Sequence, residues 1–276
     1  MPANLNISIL GAGWLGLPLA QHLLTQGYNV HTTRSSQAGC DQINSQFVPC
    51  SVFELGENFT DNQSVAHRIF NADILIVTIP PGFRQVNKGQ DYLLKWRQIT
   101  TQANLAGVKK IIMTSSTSVY PEQDKLMLET DATAHNEKAD ILLQAENLLT
   151  TDFNGDYIIV RLAGLFGPDR HPARFIKHMK TLSQQAPANM LHLDDAIKAI
   201  SFLIDKAVKN EIINISSPER VSKADFYKQA IKIDGQILNL FPKLDKQKGK
   251  HINCEKLIKL GYQFKFKNAI NALKSC

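Results

Sequence analysis

No run of apolar residues in this 276-residue chain approaches the ~20 needed to cross a bilayer, which argues against a membrane protein. Met1-Pro2-Ala3 leads straight into an apolar segment with neither a charged n-region nor a cleavage site, so a cytoplasmic protein is expected. Cysteine is scarce. Cys40, Cys50, Cys254 and Cys276 form no CxxC pair and have no histidine at ligand spacing, which leaves no metal site and no disulfide framework to predict. Four free thiols are the expectation. The net charge of +6 comes largely from the tail, through Lys243, Lys246, Lys248, Lys250 and the lysines that follow. No aromatic residue interleaves with the 243–250 lysines as on a base-stacking surface. They read as a solvated face, and no nucleic-acid partner is expected.

What is present is a repeating pattern. The chain is 43% hydrophobic, enough to bury a full core. Short β-branched runs (Ile7 to Leu10, Asn29 to Thr32, Asp73 to Val77, Val108 to Met113, Tyr157 to Val160) alternate with amphipathic stretches ending near Gln26, over Asp91 to Ala106 and over Asn136 to Leu149. Each run is too short for a helix and too apolar for a strand with one wet face. Repeated strand-helix-strand units predict an α/β fold, a Rossmann doubly wound parallel sheet. Beyond Gly167-Pro168 the pattern loosens into helices predicted over Ala173 to Gln184, Asp194 to Val208 and Ser222 to Ile233. This divides the chain into a dinucleotide-binding domain over 1–165 and a small, mostly helical C-terminal lobe over 166–276, with 211–221 returning to the sheet.

The sharpest motif is Gly11-Ala12-Gly13-Trp14-Leu15-Gly16, which leaves the first strand and opens the first helix. In that context Gly11 permits the tight turn, Gly13 lets the backbone approach a pyrophosphate and Gly16 lets the helix pack on the strand. The helix start then offers N–H donors and a positive dipole end. NAD users carry an acid at the end of the second strand for the ribose 2′-hydroxyl. Here Thr33-Arg34-Ser35 stands there, with no acid before Asp41. A guanidinium and two hydroxyls suit a 2′-phosphate, so NADP is the expected cofactor, with NAD the alternative. Thr78-Ile79-Pro80 follows the run Asp73 to Val77 at the edge where open sheets bind ligands, and is expected to line the cofactor.

Met113-Thr114-Ser115-Ser116-Thr117-Ser118-Val119-Tyr120 continues the run Val108 to Met113. With this segment, Arg161 to Pro168, Leu191-His192-Leu193-Asp194-Asp195 and the closing Lys259-Leu260-Gly261-Tyr262, the chain resembles the extended short-chain dehydrogenase/reductases, the sugar-nucleotide epimerase/dehydratase group, over nearly its whole length. The resemblance implies cofactor contact at Ser115, a catalytic hydrogen-bond donor at Ser116, a small-molecule substrate and a homodimer built through the helices near Asp91 and Asn136. It also implies a Tyr-x-x-x-Lys pair on the next helix. Aligned through Glu146, these places hold Lys138 and Leu142, and no tyrosine occurs from Pro121 to Asp156. That departure, with the GxGxxG spacing, resembles the superfamily's atypical subgroups.

Two functions follow from this pattern. One is an NADP-dependent oxidoreductase or epimerase acting on a small, anionic or nucleotide-sugar-like substrate, with Ser116 as hydrogen-bond donor and Tyr120 or Lys138 as the acid. The other is a non-catalytic NADP(H)-binding sensor that keeps the phosphate turn without the standard active site.

Overall fold

A computed structural model describes residues 5–57, 59, 63–83, 88–176, 179–206, 208–235 and 241–276. Residues 1–3, 177–178 and 207, on which parts of the sequence reading fall, lie outside them. Seven strands form one sheet: β1 (Asn6–Leu10), β2 (Asn29–Arg34), β3 (Cys50–Val52), β4 (Ile74–Val77), β5 (Lys110–Ser116), β6 (Asp156–Leu162) and β7 (Glu211–Ile215), in the order β7-β6-β5-β4-β1-β2-β3. β1 pairs in parallel with β2 and β4, β2 with β3, and β4 with β5. The strand order reverses direction between β1 and β4, the crevice at which open α/β sheets take their ligands. Ile9, Leu75, Ile76, Ile111 and Ile112 are fully buried, as expected of strands covered on both faces.

Helices α1 (Gly16–Thr25), α2 (Gln37–Asn44), α3 (Gln63–Phe70), α4 (Lys88–Ala106) and α5 (Glu137–Asp152) connect the strands. Pro18 sits in the first turn of α1, where its fixed φ is tolerated, and the Leu17 and Leu19 N–H groups on either side bond the Gly13 and Leu15 carbonyls. Asn136 caps α5 by accepting the Ala139 N–H at 3.0 Å. α2, β3 and α3 are absent from the sequence reading.

The chain divides into two compact units. One comprises Met1–Ser115, Ala134–Val160 and Ile200–Ile212; the other comprises Ser116–Thr133, Arg161–Ala199 and Ile213–Cys276. In place of a single cut at 165, the backbone passes several times from one unit to the other. Within the second unit, Phe166 and Phe226 meet edge to face at 5.5 Å. Buried Asp195 accepts the Tyr262 hydroxyl and the N–H groups of Lys265 and Phe266 at 2.7–3.0 Å, fixing the segment that precedes the C-terminus. His192 is buried, with its pKa pushed down by desolvation. The predicted helix over Ala173 to Gln184 is corrected to Ala173–Ile176 followed by the strand Thr181–Ser183. That strand pairs with Lys243–Asp245, a partner 62 residues away that local periodicity cannot reveal. The unit also holds the parallel pairs Gly164–Phe166 with Met190–His192 and Leu126–Met127 with His251–Ile252, so strand ladders accompany its helices.

Cys40 and Cys50 are joined by a disulfide, which overturns the expectation of four free thiols. α2 packs on β3 and brings their Cα atoms to 5.4 Å, a distance that the ten-residue spacing does not disclose. Cys254 and Cys276 are free. No helix among the described residues is long and apolar enough to cross a membrane.

Gly16 has a structural duty that can be measured. A Cβ added there would lie 2.2 Å from the Gly11 carbonyl oxygen and 2.8 Å from Thr78 Oγ1. Backbone cannot yield cheaply, so Gly16→Ala is expected to cost about 2–3 kcal/mol, an overpacking penalty, and to lower Tm by roughly 5–10 °C in a thermal melt.

Candidate functional site: the glycine turn and its pocket

The turn after β1 is locked from two sides. The Gly11 N–H donates to Thr33 Oγ1 at 3.1 Å, and the Ala12 N–H donates to the Thr33 carbonyl at 2.8 Å. Thr78 Oγ1 donates to the Gly11 carbonyl at 2.7 Å. Gly11 has a φ of 99°, which a side chain would resist. Gly13 differs: a Cβ there would meet nothing nearer than Arg34 Nη1 at 4.0 Å, so the space above the turn is open. In the first turn of α1 the Leu17 and Leu19 N–H groups donate to the Gly13 and Leu15 carbonyls at 3.0 and 3.1 Å and Pro18 has none, so what the helix offers that space is its positive dipole end.

One cavity of about 960 Å³ lies at the carboxyl ends of β1 to β4 and belongs entirely to the first unit. Its size is at the upper end for small-molecule and cofactor sites. Gly11, Gly13, Thr33, Arg34 and Ser35 line it, as do Thr78, Ile79 and Pro80. The structure therefore brings these sequence-predicted residues together. Trp14, Leu15, Gly16 and Ser115 do not line it. Leu15 is buried, Gly16 packs on the turn, and Ser115 Oγ donates to buried Glu146 Oε1 at 2.6 Å.

Arg34 reaches from β2 across the turn and donates through Nη1 to the Ala12 carbonyl at 3.2 Å. A guanidinium has five N–H donors, so this bond leaves the rest for an anion. Thr33 is buried and its hydroxyl oxygen holds the Gly11 N–H, so it shapes the turn as well as the pocket. Ser36 Oγ accepts the Gly39 N–H at 3.2 Å as the N-cap of α2.

Several lining residues were missed by the sequence reading: Ser36, Phe53, Glu54 and Leu55, and Tyr92 and Lys95 on α4. The segment after β3 is clamped to α4 by reciprocal bonds of 2.7 and 3.0 Å between the Gln98 amide and the Gly56 backbone. Asp91 also lines the pocket and pairs with Lys95 at 2.7 Å. Only the recurrence of a strand signal at Cys50–Val52 could have flagged the 53–55 segment, and three residues are too few for one.

The three candidate catalytic residues belong to different units. Lys138, at the start of α5, lines the cavity. Ser116 and Tyr120 belong to the second unit. Ser116 Oγ accepts the Ser118 N–H at 3.1 Å, capping the short turn Thr117–Val119. Tyr120 is fully buried; its hydroxyl donates to Asn214 Oδ1 at 2.6 Å and accepts from Arg161 Nη1 at 2.8 Å. Burial raises its pKa, against the opposing pull of Arg161 and Asn214. Lys250 Nζ holds the Tyr120 carbonyl at 2.6 Å. This phenol is tied into a buried polar network.

Residues 11–188, well over half of the chain, match the family described as NAD(P)H-binding. The chain belongs to that family. The match begins at Gly11, the first residue of the locked turn. A relative of the NAD(P)H-binding chain, protein YeeZ of Escherichia coli strain K12, is 30% identical over 266 residues, covering 94% of this chain and 96% of its own. Two solved structures share the fold. UDP-glucuronic acid 4-epimerase from Bacillus cereus in complex with NAD superposes with a TM-score of 0.75 at 22% identity, over 98% of this chain and 96% of the other. The Bordetella bronchiseptica enzyme WbmH in complex with NAD⁺ gives 0.77 at 14% identity, over 98% and 96%. The sheet order, the turn and the open space above Gly13 fit a nicotinamide dinucleotide.

Proposed function

We propose that this NAD(P)H-binding chain is an NADP-dependent oxidoreductase or epimerase of an atypical short-chain dehydrogenase/reductase subgroup. Its substrate is a small, anionic or nucleotide-sugar-like molecule. The observation that carries the NADP reading is Arg34 lying over the glycine turn, in the pocket, bonded to Ala12. Ser35 and Ser36 stand beside it and add hydroxyl donors for a 2′-phosphate. The bound dinucleotide supplies hydride chemistry; the protein supplies position and a proton. Thr78, Ile79 and Pro80 orient the ligand along the edge of β4. Lys138, at the place of the family's tyrosine, is the proton donor in this reading, and it shares the cavity with the Asp91–Lys95 pair. Ser116 is retained as a hydrogen-bond donor on the resemblance alone, since accepting from Ser118 leaves its own proton to give. Tyr120 is not retained, because its hydroxyl already donates its hydrogen bond to Asn214. A homodimer and a cytoplasmic location are carried over from the sequence reading.

The second reading, a non-catalytic NADP(H) sensor, is favoured by one observation: Leu142, at the place of the family's lysine, is buried apolar packing. Turnover separates the two. NADPH consumption is followed with a panel of carbonyl compounds, and epimerisation, which returns the hydride and consumes no cofactor, by chromatography of UDP-sugars incubated with the protein and NADP⁺, chosen because the Bacillus cereus neighbour is named for one. The enzyme reading predicts turnover that Lys138→Met lowers about 100-fold, the scale of one general acid, with NADPH affinity little changed. Background activity across the panel with micromolar NADPH binding establishes the sensor instead.

A further inference from the structure

The disulfide joins two segments that flank Arg34. β3 is bonded to β2 in the register Thr32 with Cys50, Thr33 with Ser51 and Arg34 with Val52. The next N–H, of Phe53, donates to the Arg34 carbonyl at 2.8 Å, and Phe53, Glu54 and Leu55 then line the cavity. On the other side, the first turn of α2 lies against the arginine side chain: a Cβ added to Gly39 would sit 3.0 Å from Arg34 Nε. Cys40 is on α2 and Cys50 on β3, so the covalent bond closes the frame around the guanidinium.

Other ties are present but sparse: β3 has its ladder to β2, the Gln98–Gly56 bonds beyond it and the Cys50 N–H donating to Asn44 Oδ1 of α2 at 2.9 Å. α2 has eight residues and buries only Cys40 and Ile43. An isolated helix of that length is not stable in water, so its place depends on what it is attached to. β3 has three residues, all half-buried, at the edge of the sheet. One of the two anchors of α2 is therefore the disulfide itself.

We infer that the Cys40–Cys50 disulfide determines cofactor selection, holding the ribose-phosphate end of the pocket in its NADP-binding form and releasing it on reduction. The inference rests on the assignment of Arg34 to the 2′-phosphate. The reductant is a dithiol. Its thiolate attacks Sγ of Cys50, the less buried partner, and Cys40 leaves as a thiolate and takes a proton. The second thiol of the reductant then displaces Cys50. Two electrons and two protons pass to the protein, and the reductant departs as its own disulfide. With the link open, binding NADP must also order α2, β3 and the Arg34 side chain. One or two such ordering costs amount to about a tenfold loss of affinity. NAD lacks the phosphate that Arg34 would hold, so its affinity is expected to stay within about twofold.

Calorimetric titration of the full chain with NADP⁺ and with NAD⁺, after diamide oxidation and after dithiothreitol reduction, tests this. Thiols are counted in parallel by N-ethylmaleimide labelling under denaturing conditions, because Cys254 is buried, and mass spectrometry. Oxidised protein should label only at Cys254 and Cys276, the two free cysteines, and reduced protein at all four. Reduction should weaken NADP⁺ about tenfold, reoxidation should restore it, and the Cys40→Ser/Cys50→Ser double variant should behave as the reduced form. If the double variant does not fold, the chemical reduction arm stands alone. Labelling of all four cysteines after oxidation, or equal NADP⁺ affinity in the two thiol states, overturns the inference. The same preference for NADP⁺ over NAD⁺ in oxidised and reduced protein sinks the latch alone. No preference in either state, with Arg34→Ala silent, sinks the Arg34 assignment and the latch with it.

Discussion

Gly13→Asp should abolish dinucleotide binding and leave the fold intact. The new side chain has room, since the nearest heavy atom to an added Cβ is Arg34 Nη1 at 4.0 Å, and Gly13 is not in the left-handed region. The carboxylate would occupy the open space above the turn, pair with Arg34 and place a negative charge where a pyrophosphate belongs. An acid at the start of α1 also favours the helix dipole, so Tm should hold or rise slightly. The expected result is a loss of at least about 100-fold in affinity for both NADP⁺ and NAD⁺, near the upper end for losing hydrogen bonds to a charged group. Calorimetry and a thermal melt of the same sample decide it. The contrast with Gly16→Ala is the informative part, because that substitution strikes backbone and should cost stability first. Unchanged binding in Gly13→Asp would remove the turn from the site.

Arg34→Ala should separate the two dinucleotides. The side chain gives one N–H to the Ala12 carbonyl and keeps the others directed to the pocket. Losing charge-assisted bonds to a phosphate costs about 1.5–3 kcal/mol, or roughly 10–150-fold in NADP⁺ affinity. NAD⁺ has no group at that position, and its affinity should change by no more than about threefold, the part owed to the Ala12 contact. Equal losses for both cofactors would mean that Arg34 supports the turn and does not choose the ribose.

The parts of this molecule legible in its sequence are those with a local cause. Ile7, Ile9, Leu75 and Ile76 announce buried parallel strands because both faces are covered. Gly11, Gly13 and Gly16 announce a turn because only glycine meets all three demands. The residues that were not legible are placed by long-range pairing. β3 is three residues long and exists because β2 is beside it. Thr181–Ser183 is a strand and not a helix because Lys243–Asp245 reaches it. Lys95 and Tyr92 enter the pocket through the placement of α4, and Cys40 meets Cys50 through the packing of α2. Tyr120 shows the converse error. Its position after β5 made it a candidate acid, and only Asn214 and Arg161, 94 and 41 residues away, show where its hydroxyl is bound.

A crystal structure of the oxidised protein with NADP⁺ is the most direct measurement. The account predicts the pyrophosphate against Gly13 at the N-terminal end of α1, with the 2′-phosphate about 2.7–3 Å from the Arg34 guanidinium. A dinucleotide lying elsewhere, or a 2′-phosphate turned to solvent with Arg34 still on Ala12, would contradict it.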